Sequence, residues 1–238
     1  AASLAQATLK ALAEISAAVA AGHPADRHLA ALFRSNRAWG SRDRRFISAV
    51  VYSFFRWRGW IGNEEPARAA ALAWSLDATE SHPAQLALAG TELPVWGSLD
   101  LAAKCVALAA PLGRPLVPAA LVPDWLRSVV PADDFDRLIS SFQSRPPTWL
   151  RTYTARRQAA HTVLEKHGAM PVAHPALPNA VRCGEQVNLD PVRHACRHAF
   201  EVQDIASQCV GMVCAPARGE LWWDACAGAG GKTLQLAD

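Results

Sequence analysis

The sequence has no C-x-x-C pair, and its six cysteines, at 105, 183, 196, 209, 214 and 226, follow no regular spacing. A chain of 238 residues that is 51% hydrophobic can bury proper cores without disulfide staples, so reduced thiols in a cytoplasmic setting are the expectation. A basic leader with a cleavage site is also missing, and the Ala-rich opening carries Lys10 and Glu14, which rules it out as a membrane span. Net charge is only +3, so any attraction to a polyanion must come from local clustering. Between 63 and 113 there is no strand-like alternation. That stretch is rich in Ala and Leu, punctuated by Pro66, Pro83, Pro94 and Pro111.

What is present begins with helical periodicity. Leu4, Thr8, Leu12, Ile15 and Val19 share one face over 3–21, and Gly22-His23-Pro24 stops that helix. Leu29, Leu32 and Phe33 mark a second, shorter one. Ser41 stands where it can cap a third, in which Phe46, Val50 and Phe54 repeat at i, i+4, i+8 beside Ile47, Val51 and Phe55. Residues 1–115 therefore read as an all-α domain with the third helix at its centre. The same region carries Arg34, Arg37, Arg42, Arg44, Arg45, Arg56 and Arg58 against Asp43 alone, interleaved with Trp39 and Trp57. Fixed positive charge beside planar rings suits an RNA backbone and its bases, and equally a solvated helix face; the sequence leaves both readings open. Arg42, Arg44, Arg45 and Arg56 are the candidate RNA contacts here.

Pro115, Pro118 and Pro123 break any long element, so 116–143 reads as a helical linker. A helix opens at Pro123-Asp124-Trp125-Leu126, with Trp125 as an anchor between domains. Another follows over 133–142 with Phe135, Leu138, Ile139 and Phe142 inward. Residues 144–200 read as a small α+β subdomain. Pro146 and Pro147 set an extended entry, 149–153 alternates as a strand, and Thr154 caps a helix over 155–167 with Ala159, Val163 and Leu164 apolar. Gly168 stops it, and short strands follow near 170–172 and 180–183. Strand, helix, strand, strand is half of a ferredoxin-like or RRM-like unit. Arg151 is a further candidate RNA contact. His194, Cys196 and His198, with Cys183 upstream, would need a helix to act together; Pro191 argues against one, so no metal is expected.

The last stretch holds the sharpest signal. A short apolar run from Leu221 ends at Asp224, followed by Ala225-Cys226-Ala227-Gly228-Ala229-Gly230-Gly231-Lys232-Thr233 and an amphipathic start: strand, glycine turn, helix. Glycines at 228, 230 and 231 permit positive φ and close approach of a ligand to a helix N-terminus. A phosphate-binding Walker loop needs glycine at 226, where Cys stands. The dinucleotide fingerprint needs a third glycine at 233, where Thr stands. Both fail at one named residue.

The remaining pattern, D-A-C-A-G-A-G-G-K-T after a strand, resembles the first cofactor motif of the RsmB/NOP2/Sun family of S-adenosylmethionine-dependent RNA cytosine-5 methyltransferases, in which D-x-C-A-A-P-G-G-K-T is usual. Val202-Gln203-Asp204-Ile205-Ala206-Ser207-Gln208 resembles that family's helix preceding the first cofactor strand, and Ser144-Arg145-Pro146-Pro147 through Leu150-Arg151 resembles its N-x-R-P-P entry. Arg42 through Arg56 looks like the arginine-led helix of the NusB-like domain carried by bacterial members that methylate small-subunit ribosomal RNA.

The resemblance implies a multidomain architecture: the all-α domain NusB-like, the small subdomain in RNA contact, and 201–238 the beginning of an α/β Rossmann-like methyltransferase domain. Cys226, Ala227, Gly228, Ala229, Gly230, Gly231 and Lys232 would then hold S-adenosylmethionine. In the family a cysteine thiolate adds to C6 of cytosine to make C5 nucleophilic, and a second cysteine helps release the product. Both lie beyond the first cofactor motif, so this chain is expected to be an inactive fragment without its catalytic cysteines. RNA, in particular ribosomal RNA, is the expected partner. A non-catalytic RNA-binding module that keeps an unused glycine loop is the alternative, and a phosphate-loop NTPase using Lys232 and Thr233 is a third.

Overall fold

The computed structural model describes residues 1–184, 189–195 and 199–238, with the side chains of 190, 193 and 194 outside the description. The chain divides into two compact units, Ala1–Ser144 and Arg145–Asp238. Among the described residues no helix is long and apolar enough to cross a membrane.

The first unit is helical. Helices α1 (Ala2–Ala20), α2 (Ala25–Ser35), α3 (Ser41–Ile61), α4 (Pro66–Asp77), α5 (Pro83–Ala89), α6 (Leu101–Leu112), α7 (Leu126–Val129) and α8 (Ala132–Phe142) follow in order. Helix α3 is the axis because its sequence is apolar on more than one face: Phe46, Ile47, Val50, Val51, Trp57, Trp60 and Ile61 are all buried, and α1 and α4 pack against it. Pro66 and Pro83 each sit at the first helical position, where a missing N–H costs nothing. The N-terminus of α3 departs from expectation. Gly40 rather than Ser41 is the cap, and its N–H donates to Asp43 Oδ2 at 3.0 Å.

The proline-rich stretch after Gly113 packs on α3. A 3-10 turn at Pro118–Leu121 contacts α3, Trp60 Nε1 donates to Val117 O at 2.9 Å, and the Arg114 guanidinium donates to Trp60 O. Prolines broke the helix but left carbonyls free to accept from buried donors, so this segment is tied down. Phe135 and Ile139 are buried as expected, while Phe142 is half exposed because α8 ends at that residue. Trp125, expected as an anchor between domains, is 64% exposed.

His82 caps α5: Nδ1 accepts the Ala84 N–H at 3.1 Å, and the ring stacks on Phe46 at 4.3 Å. Burial pushes its pKa below the ordinary 6.5. A lowered folded pKa means the contribution is fully present above pH 6.5 and is lost as pH falls through the folded value. Thermal melts between pH 7 and pH 5 should show a larger loss of Tm in this chain than in His82→Asn, whose amide caps at either pH.

The second unit is built on β1 (Thr148–Thr152), α9 (Arg157–Lys166), β2 (Val172–Ala173), β3 (Ala180–Cys183), α10 (Asp190–Ala195) and β4 (Phe200–Val202). The sheet order is β2-β3-β1-β4, every pair antiparallel, with Leu150 opposite Val181 on one side and Val202 on the other. Crossovers through α9 and α10 make this the split β-α-β arrangement of ferredoxin-like folds, so the half-unit legible in the sequence is completed by α10 and β4. Leu150, Ala160, Leu164, Val181, Val192 and Phe200 form its core.

Four local expectations are corrected. Ala160 instead of Ala159 faces inward, because a 3-10 turn at Thr154–Arg156 delays α9 to Arg157 and rotates its face. Thr154 does not cap α9; its hydroxyl donates to Asp238 Oδ2 at 3.2 Å. A helix does form around Pro191, which is its second residue, where no intrahelical N–H is required; buried Val192 holds it down. Residues 200–202 are strand, so the helix of the V-Q-D stretch, α11 (Ile205–Cys214), starts later, with the Asp204 carboxylate accepting the Ala206 N–H at 2.8 Å. The chain closes with α12 (Gly231–Leu236).

Candidate functional site

The glycine loop is a hydrogen-bonded turn that opens α12. Asp224 organises it from one end: Oδ1 accepts the Cys226 N–H at 3.1 Å and Oδ2 accepts the Thr233 hydroxyl at 2.7 Å. The Gly230 N–H donates to Ala227 O at 2.8 Å, closing the turn. Gly228 and Gly230 have φ of +54° and +85°, the left-handed region that favours glycine, whereas Gly231 is already helical. Cys226, Ala227, Gly228 and Ala229 are exposed, and Gly230, Gly231 and Lys232 half-buried. A Cβ on Gly230 or Gly231 would meet nothing within 4 Å, so the loop presents open backbone. First-turn N–H groups of α12 have no intrahelical partner, and no side chain caps them. Exposed backbone donors behind small side chains fit the carboxylate and hydroxyl groups of a nucleoside cofactor.

The expected strand before the loop does not form. Leu221 and Trp223 are 101% and 90% exposed, and no described strand pairs with 221–224. A strand of a parallel sheet is stabilised by neighbours on both sides, and none stands beside 221–224 among the described residues.

Helix α11 meets α12 through a chain of amides. Gln203 Nε2 donates to Gln235 Oε1 at 2.8 Å, Gln235 Nε2 to Gln208 O at 2.8 Å, and Gln208 Nε2 to Gln203 O at 2.9 Å. Gln235 lies so close to Gly211 that a Cβ there would be 2.3 Å from its carboxamide. Arg151 joins the same network, its Nε donating to Gln203 Oε1 at 2.9 Å. The family-like stretch Val202 to Gln208 contains Gln203 and Gln208, whereas Gly211 and Gln235 carry no signal in the sequence. The i, i+4 spacing of small and amide residues gave no hint of which helix they would face.

The candidate RNA-contacting arginines separate into two groups. Arg42 and Arg45 are exposed on α3, as are Arg34, Arg37 and Arg58 in the same unit. Arg44 is half-buried; its Nε donates to Trp39 O at 2.9 Å and its guanidinium lies 5.6 Å from the Phe33 ring centroid. Arg56 is half-buried, and its guanidinium pairs with Asp77 inside the helical unit. Arg151 is 1% exposed, with Nη1 on Asp238 Oδ2 at 3.5 Å and the guanidinium over the Tyr153 ring at 4.6 Å. Trp57 is fully buried and offers no stacking face. Charge clusters look alike in sequence whether an acid waits in another helix or not.

No group of three metal-ligating side chains exists among the described residues; Cys196, His198 and the side chain of His194 lie outside them. The cysteine environments differ. Cys183 is buried and its thiol is pushed up to about 11, and burial raises Cys105 as well, while Cys209 and Cys226 are exposed. In iodoacetamide labelling at pH 8, Cys209 and Cys226 should alkylate in the native chain, and Cys183 only after denaturation.

The second unit thus joins a ferredoxin-like sheet to a glycine loop that opens a helix, and comparison with known proteins gives that arrangement a context. No family profile matches the chain. It is 31% identical over 123 residues to the ribosomal RNA small subunit methyltransferase B of Sodalis glossinidius, covering 50% of this chain and 28% of that protein. The methyltransferase B of Salmonella paratyphi B matches at 31% over 124 residues, 50% of this chain and 29% of that protein. The matched part thus spans under a third of those relatives. The crystal structure of PH0851 superposes with a TM-score of 0.62 at 18% identity, covering 97% of this chain and 60% of that one, which shows a shared fold. The resemblance read from the motifs is borne out by these relatives.

Proposed function

We propose that the chain is part of an S-adenosylmethionine-dependent RNA (cytosine-5) methyltransferase of the RsmB/NOP2/Sun family, acting on ribosomal RNA, with 1–115 a NusB-like RNA-binding domain and 201–238 the opening of a Rossmann-like methyltransferase domain. The observation that carries this reading is the glycine loop, its two left-handed glycines and its Asp224 clamp, joined to the V-Q-D helix by Gln203, Gln208 and Gln235. The relatives named as ribosomal RNA methyltransferases support it.

Cys226, Ala227, Gly228, Ala229, Gly230, Gly231 and Lys232 would hold the cofactor, which when bound supplies an electrophilic methyl group on a sulfonium. The loop's backbone N–H groups bind its polar ends, and the amide chain sets the angle at which α12 meets α11. Arg42 and Arg45 supply charge for phosphates from the helical unit. Cys226 serves as a small loop side chain; no described cysteine is proposed as the nucleophile.

Two measurements test the reading. Equilibrium dialysis with labelled S-adenosylmethionine should show binding that Gly230→Val weakens at least about tenfold, since a β-branched residue is strained at φ +85°. Equal binding of ATP, lost in Lys232→Ala, would favour the phosphate-loop alternative instead. In a methyl-transfer assay with a small-subunit RNA transcript, any labelled methyl group transferred is expected on C5 of cytosine, and product methylated at another position would overturn the cytosine-5 reading.

A further inference from the structure

Helix α12 carries the glycine loop at its N-terminus, yet none of its residues is buried and Leu234 is 43% exposed. Six residues span about 9 Å, too short a helix to persist by itself, and little apolar packing holds this one in place. Its anchors are polar and lie at the end away from the loop. Gln235 Oε1 accepts from Gln203 Nε2 and Gln235 Nε2 donates to Gln208 O, both at 2.8 Å. Asp238 Oδ2, just past the helix, accepts the Thr154 N–H at 3.0 Å, the Thr154 hydroxyl at 3.2 Å and Arg151 Nη1 at 3.5 Å. Both sets of contacts lead to Arg151, whose Nε donates to Gln203 Oε1 at 2.9 Å.

The order of donors and acceptors gives this path one direction. A guanidinium only donates, so Gln203 turns its oxygen to Arg151 and its nitrogen to Gln235. Gln235 then presents its own nitrogen to the Gln208 carbonyl, which only accepts. Two amides between a donor-only and an acceptor-only group make every bond in a single orientation, so the position of Gln235 on α12 is specified. Gly211 provides the room, since a Cβ there would stand 2.3 Å from the Gln235 carboxamide. Stability alone is a poor account of the guanidinium. Arg151 is 1% exposed and its Nη2 has no partner, and a well-packed apolar side chain at a buried ion pair commonly stabilises as much or more. What the guanidinium supplies is direction.

We infer that Arg151 is a positioning residue for the cofactor loop: through Gln203 and Gln235, and through Asp238, it fixes α12 and the loop backbone against β1, an interior strand of the sheet. That role rests on the reading that the loop grips S-adenosylmethionine, and it takes Arg151 out of the set of RNA contacts.

The test uses the whole 238-residue chain. Gly211→Ala displaces Gln235, while alanine for glycine inside a helix favours α11, so a merely structural role predicts an unchanged or higher Tm with unchanged cofactor binding. Asp238→Ala removes the second anchor, and Arg151→Met removes the donor common to both. Hydrogen exchange without cofactor should speed up about fivefold or more over 231–237 in Gly211→Ala and Asp238→Ala, and stay unchanged over 180–183. Equilibrium dialysis should show S-adenosylmethionine affinity falling about fivefold in those two variants and about tenfold in Arg151→Met. Leu234→Ala, outside these contacts, should bind as the parent does. Exchange over 231–237 unchanged in all three variants, or rising equally over 180–183, would overturn the positioning role and leave the cofactor reading standing; so would faster exchange with unchanged affinity. A parent chain that binds no S-adenosylmethionine while the exchange pattern holds would overturn the cofactor reading and leave Arg151 only its hold on α12.

Discussion

Asp77→Ala is expected to destabilise the helical unit by about 3–4 kcal/mol, the range for removing one partner from a largely desolvated charge pair. Asp77 ends α4, and its carboxylate collects three donors from α3: Ser53 Oγ, the Arg56 guanidinium, and Trp57 Nε1 at 2.8 Å. The Arg56 and Asp77 side chains are only 18% and 21% exposed. Lys104, 6% exposed, lies 4.9 Å from the Trp57 ring centroid, and burial lowers its pKa even with Asp77 favouring its charge. Removing the carboxylate leaves the Ser53 hydroxyl, the Arg56 guanidinium and a buried indole N–H without their acceptor, and takes from Lys104 a negative charge that favours its protonated form. Asp77→Asn keeps an acceptor for Trp57 and should lose about half as much. Urea unfolding followed by tryptophan fluorescence measures both. Equal stability of Asp77→Ala and the parent would remove the hub from any account of this fold.

Gly59→Val should be comparably severe, at about 3 kcal/mol or more, by overpacking against backbone. A Cβ at position 59 would stand 1.8 Å from Ala120 O and 2.9 Å from Leu121 Cα. No rotamer relieves a clash with main chain, so the 3-10 turn at Pro118–Leu121 would have to leave α3. Its departure breaks the Trp60 Nε1 to Val117 O bond and uncovers an indole that is now fully buried. The measurable signs are a red-shifted tryptophan emission and faster proteolysis near 114–122. Gly22→Val, at a glycine with φ +84° and nothing within 4 Å, costs only its backbone strain and controls for loss of glycine alone.

The periodic helices were legible because a buried stripe repeats within its own segment. Leu12 and Ile15 on α1, and Phe46 to Phe54 on α3, are core where the pattern put them. The glycine turn was legible for a similar reason, since left-handed φ at Gly228 and Gly230 is a local demand. Position 191 misled because proline forbids a helix interior but suits its first turn, and only the buried contact of Val192 distinguishes the two. The strand at 221–224 misled in the opposite way: its pattern is apolar, but a strand exists only with a partner.

Sequence alone determined the helical first unit, the ferredoxin-like start of the second, and the loop that resembles a methyltransferase cofactor motif. Each rests on interactions within a few residues, whose spacing is written in the chain. Tertiary structure decided the rest. Arg56 and Arg151 turned inward because Asp77 and Gln203 wait 21 and 52 residues away, and no local pattern encodes a partner at that distance.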